Sequence, residues 1–180
     1  MAAREIKEKE WIKLRNYLNK KSRLIFDICW HTGERIGAVV QLQIKDIYLE
    51  SGKPREIVNF KRSTRKGKDR GRLVAVHPNL RELLEAYQPD PLSPWMFPGA
   101  TAGVFLNKDS AMDCLQRACK TANLEGITSH SYRRAFANRL HRKGYDLRLV
   151  QQAMGHSDIR STVVYVSDRP DAVAAAIKSL

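Results

Sequence analysis

One segment of the chain, from residue 46 to residue 76, carries the short apolar runs and turn residues typical of a β-sheet. Its candidate strands are DIYL, EIVNF and RLVAV, and the glycine and proline of ESGKPR separate the first two. Elsewhere the apolar residues recur at helical spacing, as in EKEWIKLRNYL and SRLIFDICWHTG. We therefore predict an α+β fold that is mainly helical, with a small three-stranded antiparallel sheet.

The connection between the second and third candidate strands is strongly basic. It reads KRSTRKGKDRG, with six cations in eleven residues. The whole chain has 32 lysines and arginines against 19 acids, a net charge of +13. This excess favours a polyanionic partner, with nucleic acid as the first candidate and an acidic membrane surface as the second. No apolar stretch approaches the ~18–20 residues that span a bilayer, so no membrane insertion is expected.

Length and cysteine content bound the organisation of the chain. Its 180 residues suffice for one domain with a sizeable core. The connector QPDPLSPWMFPG could be a domain boundary, but it is short and neither flank is large enough to fold well alone. We predict a single domain over residues 1–180. Cys29, Cys114 and Cys119 form no even framework and no close pair, which favours reduced thiols in a cytoplasmic protein.

Two groups of residues place cations where an anion would stabilise them. In TSHSYRRAFANRL, His130 and Arg133 lie three residues apart on a predicted helix and are therefore neighbours on its surface. Arg133 borders the apolar stripe of that helix, where a partly desolvated guanidinium needs an anion. Arg35 follows a helix end at Gly33 and begins the next predicted helix, where a bound phosphate would offset the unfavourable dipole.

A further motif, MGHSDIRSTVVYV, places Tyr165 nine residues after His156. By itself Tyr165 could be a core aromatic residue, because apolar segments often contain a tyrosine. Arg35, His130 and Arg133 could likewise be ordinary surface groups, and the basic hairpin a solvated loop. Their order along the chain is more informative than any one of them, since it runs arginine, basic hairpin, His-x-x-Arg, Gly-His and tyrosine.

That order resembles the tyrosine recombinase (phage integrase) family, from about Trp11 to the C-terminal helix. The residues that carry the resemblance are the arginine of TGERIGAV, the HSYR pair, the histidine of MGH and the tyrosine nine residues on. The resemblance implies the catalytic domain of that family, with the DNA breaking-rejoining enzyme fold. Two positions depart from the family pattern. Met154 replaces a leucine, and Ala38 stands where a glutamate usually follows the first arginine, which removes a support for Arg35.

The resemblance implies that DNA strands are cleaved and rejoined through a covalent 3′-phosphotyrosine intermediate. Tyr165 would be the nucleophile, and Arg35 and Arg133 would bind the two non-bridging phosphate oxygens. His130 would deprotonate the tyrosine or bond a phosphate oxygen. His156 would donate to the phosphate or orient the nucleophile. Covalent attachment conserves the bond energy, so no ATP is expected. The cations would take the place of a metal, so neither a metal nor another cofactor is expected.

The departing 5′-oxygen needs a proton, which the resemblance assigns to a lysine of the basic hairpin. Lys66 is the first choice, because RKGK resembles the family's lysine-glycine turn, and Lys61 is the alternative. Further cations of the hairpin and of the HSYRR segment are expected to contact DNA. They are Lys61, Arg62, Arg65, Lys68, Arg70, Arg72 and Arg134.

The expected partners are double-stranded DNA and other protomers of the same chain. The tail SDRPDAVAAAIKSL has apolar residues at helical spacing, and the resemblance implies that it docks on a neighbouring protomer assembled on DNA. The alternative is a helix folded back on its own core. Too few residues precede the first predicted helix for the N-terminal core-binding domain that most members have, so that domain is expected to be absent. The protein is expected to be nucleoid-associated when bound to DNA.

Other functions would fit parts of the same pattern. A type IB topoisomerase-like enzyme uses similar chemistry and relaxes DNA without strand exchange. A DNA-binding regulator of this fold with decayed catalysis is supported by Ala38. A structural nucleoid protein would explain the positive charge but not the ordered motifs.

Overall fold

The computed structural model describes residues 3–64, 71–156, 158–166 and 177–178, and helices dominate these ranges. The N-terminal elements are α1 (Glu8–Arg15), α2 (Lys20–Thr32), α3 (Ile36–Val39), α4 (Ile44–Ile47), β1 (Ile57–Phe60), a 3₁₀ turn (Arg62–Thr64) and β2 (Arg72–Ala75). They are followed by α5 (Pro78–Glu85), α6 (Lys108–Thr121), α7 (Ser129–Arg142), α8 (Leu147–Met154) and α9 (Arg160–Val163). No helix within the described ranges is long and apolar enough to cross a membrane.

The chain divides into two compact units, Met1–Phe136 and Ala137–Leu180. The first unit contains both strands and the helices up to α6. Helices α8 and α9 lie in the second unit. The proline-rich connector QPDPLSPWMFPG lies inside the first unit, so it does not separate the two.

Helix α2 ends at a position where only glycine fits. Its first turn is capped by Asn19, whose side chain accepts a hydrogen bond of 2.8 Å from the backbone N–H of Ser22. Its last turn is closed by Gly33, which has the left-handed φ of 64°. A Cβ atom at this position would overlap the ring of Phe136. The glycine therefore permits both the turn and the close approach of the segment that contains Phe136.

The apolar core of the first unit forms around α2. Trp30 stacks on Trp11 of α1 with ring centroids 4.6 Å apart, and both residues are buried. Phe26 packs against Tyr132 of α7 with centroids 5.2 Å apart. Burial of a large apolar side chain contributes roughly 1.5–3 kcal/mol, so these contacts hold the start of α7 firmly beside α2.

The sheet has two strands within the described residues, and the prediction of three is wrong there. β1 and β2 pair in antiparallel fashion. The first two residues of DIYL instead end α4, and Tyr48 makes only an isolated bridge to Pro54. A local interaction explains the difference, because the backbone N–H of Gln43 donates to the Asp46 carboxylate at 3.0 Å. This contact caps a helical turn and competes with an extended strand.

Candidate active site

Arg133 is the most deeply buried of the predicted catalytic residues that the structure describes. Only 1% of its surface is exposed, so it is more desolvated than its predicted place beside an apolar stripe suggested. Its Nη1 donates a hydrogen bond to the carbonyl oxygen of Gly33. An arginine keeps its charge even when it is buried, and therefore requires acceptors or an anion around it. The bond to Gly33 brings this charge to the turn that precedes Arg35.

Arg35 lies between α2 and α3 and supplies a second guanidinium. It precedes the first residue of α3, with φ −71° and ψ 141°, rather than lying in the first helical turn as predicted. Because α3 has only four residues, its dipole adds little attraction for an anion. Within the described ranges, Nη1 of Arg35 is buried without a hydrogen-bond partner. A buried guanidinium nitrogen of this kind is suited to bind a phosphate oxygen.

His130 lies one helical turn before Arg133 on α7 and retains solvent exposure. Partial burial lowers the pKa of its imidazole, and the positive charges of Arg35 and Arg133 lower it further. The three residues are therefore within electrostatic reach of one another. A neutral imidazole beside two cations can accept a proton or bond a phosphate oxygen.

In the second unit, Tyr165 lies beside His156. The ring centroids are 5.7 Å apart and the planes are inclined by 34°. His156 is 6% exposed, and its Nδ1 lies 2.9 Å from Oγ1 of the buried Thr162. The backbone N–H of Tyr165 donates to the carbonyl of the same Thr162 at 2.9 Å. Thr162 is a residue of the site that was not predicted from the sequence, although it lies three residues before Tyr165, the spacing of one helical turn.

Several predicted residues lie outside the described ranges. They include Lys66 and the expected DNA contacts Arg65, Lys68 and Arg70, together with the side chain of Arg62. The tail SDRPDAVAAAIKSL is described only at residues 177 and 178. Arg134, on α7, is half-buried. The roles of all these residues stay predictions.

The two described cations that flank the hairpin loop are both paired with acids. Nζ of Lys61 lies 2.9 Å from Oδ1 of Asp46. Nη1 of Arg72 lies 3.0 Å from Oε2 of Glu34, and Arg72 is only 8% exposed. The DNA contact predicted for Arg72 does not fit this position, because its guanidinium points into the protein to bind a carboxylate. Glu34, which directly precedes Arg35 in TGERIG, was likewise not predicted to belong to the site.

Comparison with known proteins decides the family. The model of the phage integrase family matches residues 4–171. The chain belongs to the phage integrase family. It is 32% identical over 161 residues to the putative integrase/recombinase y4qK of Sinorhizobium fredii, covering 88% of this chain and 50% of the relative. It is 30% identical over 158 residues to the tyrosine recombinase XerD of Lacticaseibacillus casei, covering 82% and 50%. The chain thus spans about half the length of the curated relatives it matches.

Solved structures of integrases and recombinases share the fold. The XerH site-specific recombinase, in a post-cleavage complex with palindromic difH substrate, aligns with a TM-score of 0.73 and 26% identity, covering 96% of this chain and 51% of XerH. The Tn1549 transposon integrase, in complex with a circular intermediate DNA, aligns with a TM-score of 0.76 and 16% identity, covering 99% and 66%. The predicted tyrosine-recombinase catalytic fold is confirmed, apart from the third strand.

Proposed function

We propose that this chain is the catalytic part of a site-specific DNA recombinase that cleaves and rejoins DNA through a covalent 3′-phosphotyrosine at Tyr165. The observation that carries the proposal is the cluster of Arg35, His130 and Arg133 around the Gly33 turn in the first unit. Two guanidinium groups suit a phosphodiester, because each planar fork can bind one of its non-bridging oxygens.

The two arginines contribute mainly by stabilising charge. As the hydroxyl oxygen of Tyr165 attacks phosphorus, negative charge accumulates on the non-bridging oxygens of the pentacovalent transition state. Donors that are already in place stabilise this charge without reorganising, and losing one such donor typically costs about 10²–10³ in rate. His130 accepts the tyrosine proton or bonds a phosphate oxygen, and His156 donates to the phosphate or orients the nucleophile.

The covalent step leaves the energy of the broken bond in the product. A phosphorus–oxygen bond to Tyr165 replaces the bond to the 5′-oxygen, which leaves as a hydroxyl once it has gained a proton. Attack of a 5′-hydroxyl on the phosphotyrosine reverses the step and rejoins the strands. The reaction therefore needs no ATP.

Lys66 is the proposed donor of the proton to the 5′-oxygen. Its competitor Lys61 is held at Nζ by Oδ1 of Asp46 at 2.9 Å and by Oε1 of Gln43 at 3.0 Å. These partners hold the ammonium group of Lys61 at two side-chain oxygens of its own chain. Lys61 would have to leave both partners to reach a DNA oxygen, which supports the assignment to Lys66.

The proposed partners are double-stranded DNA and further copies of the chain. The net charge of +13 supports the first, since cations at phosphates supply most of the affinity for DNA. For the second, Val173, Ile177 and Leu180 recur at helical spacing in the C-terminal tail. So short an apolar stripe would not dimerise the free protein strongly, so the copies assemble on paired DNA sites. We assign the catalytic domain to residues 1–180 and expect it to be nucleoid-associated when bound to DNA.

Selection for covalently attached DNA tests this function. The protein is incubated with duplexes of randomised sequence that carry nicks at staggered positions, so that a short strand released by cleavage diffuses away and traps the adduct. DNA that stays bound to protein in SDS is then sequenced, and the proposal predicts a shared site. Strand exchange between two recovered duplexes distinguishes recombination from topoisomerase-like relaxation. DNA that is retained only under native conditions would indicate a binding regulator and contradict the proposal.

A further inference from the structure

Glu34 and Arg72 form a buried ion pair next to the proposed phosphate-binding residues. Glu34 is 1% exposed, and its Oε2 accepts a hydrogen bond of 3.0 Å from Nη1 of Arg72. Its other oxygen, Oε1, accepts from the backbone N–H of Arg35 at 2.9 Å. Nη2 of Arg72 donates to the carbonyl of Thr32 at 2.7 Å. The pair therefore binds the backbone on both sides of Gly33, at the carbonyl of Thr32 and at the N–H of Arg35.

The orientation of strand β2 places Arg72 in the interior. Side chains alternate along a strand, and here Arg72 faces the protein while Leu73 is 70% exposed. Val74 and Val76 pack against the apolar core on the same face as Arg72. A shift of one residue would turn this face to solvent. The contacts of Arg72 with Glu34 and with the carbonyl of Thr32 add to the preference for the observed register.

Charge balance gives the pair a role at the phosphate site. A carboxylate one residue from Arg35 would repel a phosphate and compete with it for the Arg35 guanidinium. Arg72 balances the charge of that carboxylate by binding Oε2, while Oε1 accepts from the backbone N–H of Arg35. The negative charge of Glu34 is therefore offset within the pair, and the main chain of Arg35 is held in one position.

We propose that Glu34 is a positioning residue for Arg35 and that Arg72 holds Glu34 in place. Arg72 also begins the strand that directly follows the basic hairpin, so the same pair joins the segment before Arg35 to the base of that hairpin. The inference rests on the proposed function, because the positioned guanidinium matters through its contact with a phosphodiester.

Cleavage of two matched substrates tests the proposal. One is a duplex recovered by the selection above, and the other has a methyl group in place of one non-bridging oxygen at the scissile phosphate, which removes the negative charge. Arg35→Ala should slow cleavage of the phosphodiester by about 10²–10³ and cleavage of the uncharged substrate much less. Glu34→Ala should show the same selective loss, by at least about tenfold, because its Arg35 is misplaced.

A second variant distinguishes the loss of positioning from the loss of the fold. Glu34→Leu/Arg72→Met replaces both charges with apolar groups of similar size, a change that buried ion pairs often tolerate. It should fold and still show the selective loss. The control is Asp27→Ala, which removes a different buried carboxylate, paired with Arg15 at 3.1 Å, and should slow both substrates by the same factor. Equal slowing of both substrates by the Glu34 variants would overturn the proposal.

Hydrogen exchange gives a readout that does not depend on cleavage. In Glu34→Ala the amide of Arg35 loses its acceptor, so it should exchange at least about tenfold faster while amides in α6 keep their rates. Unchanged exchange at Arg35 would overturn the positioning role. If the unaltered chain forms no adduct with any duplex, the proposed function fails, and the exchange measurement still decides whether Glu34 fixes Arg35.

Discussion

His156 and Tyr165 lie side by side, with ring centroids 5.7 Å apart, and Thr162 contacts both of them. The threonine hydroxyl holds Nδ1 of the imidazole, and the threonine carbonyl holds the backbone of the tyrosine. A histidine that is fixed in this way can act on a reaction at the neighbouring hydroxyl without first changing its orientation.

Removing the Thr162 hydroxyl should therefore slow the reaction. We expect Thr162→Val to reduce the rate of covalent complex formation by about fivefold, since one hydrogen bond contributes ~1 kcal/mol. His156→Ala should cost about 10²–10³, the typical effect of losing a direct donor. Thr162→Ser keeps the hydroxyl and should stay close to the unaltered rate. Single-turnover assays on denaturing gels measure these rates, and equal rates for the Val and Ser variants would contradict the orienting role.

The two hairpin lysines should respond differently to the leaving group. Lys66→Ala should slow cleavage of an ordinary phosphodiester far more than cleavage of a substrate with a 5′-thiol leaving group, because a thiolate departs without a proton. Lys61→Ala should affect both substrates equally, as expected for a residue bound to Asp46. Rescue by the thiol substrate in Lys61→Ala but not in Lys66→Ala would move the general acid to Lys61.

The docking proposed for the C-terminal tail can be tested by truncation. Deletion of residues from Val173 onward should leave a folded monomer that still binds DNA, because the helix is proposed to dock on another protomer. Cooperative assembly on paired sites and strand exchange should be lost. Native gels and circular dichroism measure these properties. Unfolding of the truncated monomer would show instead that the helix belongs to its own core.

Asp27 should make stability depend on pH. It accepts a hydrogen bond of 3.0 Å from Nε1 of Trp11 and pairs with Arg15, but burial outweighs these contacts and raises its pKa to about 6. The folded state therefore holds this proton at a pH where the unfolded state, with a reference pKa near ~3.9, has lost it. This contribution to stability is complete below about pH 4 and falls away as the pH rises through about 6.

The Asn variant isolates this contribution. We compare the free energy of unfolding of the unaltered chain with that of Asp27→Asn at each pH. The difference between them should shift against the unaltered chain by up to ~3 kcal/mol as the pH rises from about 4 to 7. Urea unfolding of both proteins at several pH values measures the difference. Parallel stability curves for the two proteins would show that Asp27 is not the group responsible.

The sequence predicts well the parts of this protein in which local pattern and tertiary structure agree. The apolar spacing of EKEWIKLRNYL and SRLIFDICWHTG matches α1 and α2, and the glycine stop lies at Gly33 as expected. The prediction of a third strand failed because the cap between Gln43 and Asp46 outweighs the strand preference of DIYL. Apolar composition alone does not distinguish these outcomes.

The parts of the site that depend on distant contacts were harder to predict. Glu34 and Arg72 are far apart in the chain, and each taken singly is typical of a solvated surface residue. Their pairing places an arginine in the interior, which its charge alone would not predict. Thr162 was missed for another reason, because a threonine in an apolar segment carries no sign of the imidazole that it contacts.

Tyr165 is the proposed nucleophile, and Tyr165→Phe tests this role most directly. The change removes one hydroxyl and should preserve both folding and DNA affinity. With a duplex recovered by the selection, the unaltered chain should form an adduct that survives SDS, and mass spectrometry of its peptides should find the nucleotide on Tyr165. The Phe variant should bind the same duplex and form no adduct. An adduct of comparable yield in the Phe variant, or a nucleotide attached to another residue, would contradict the account.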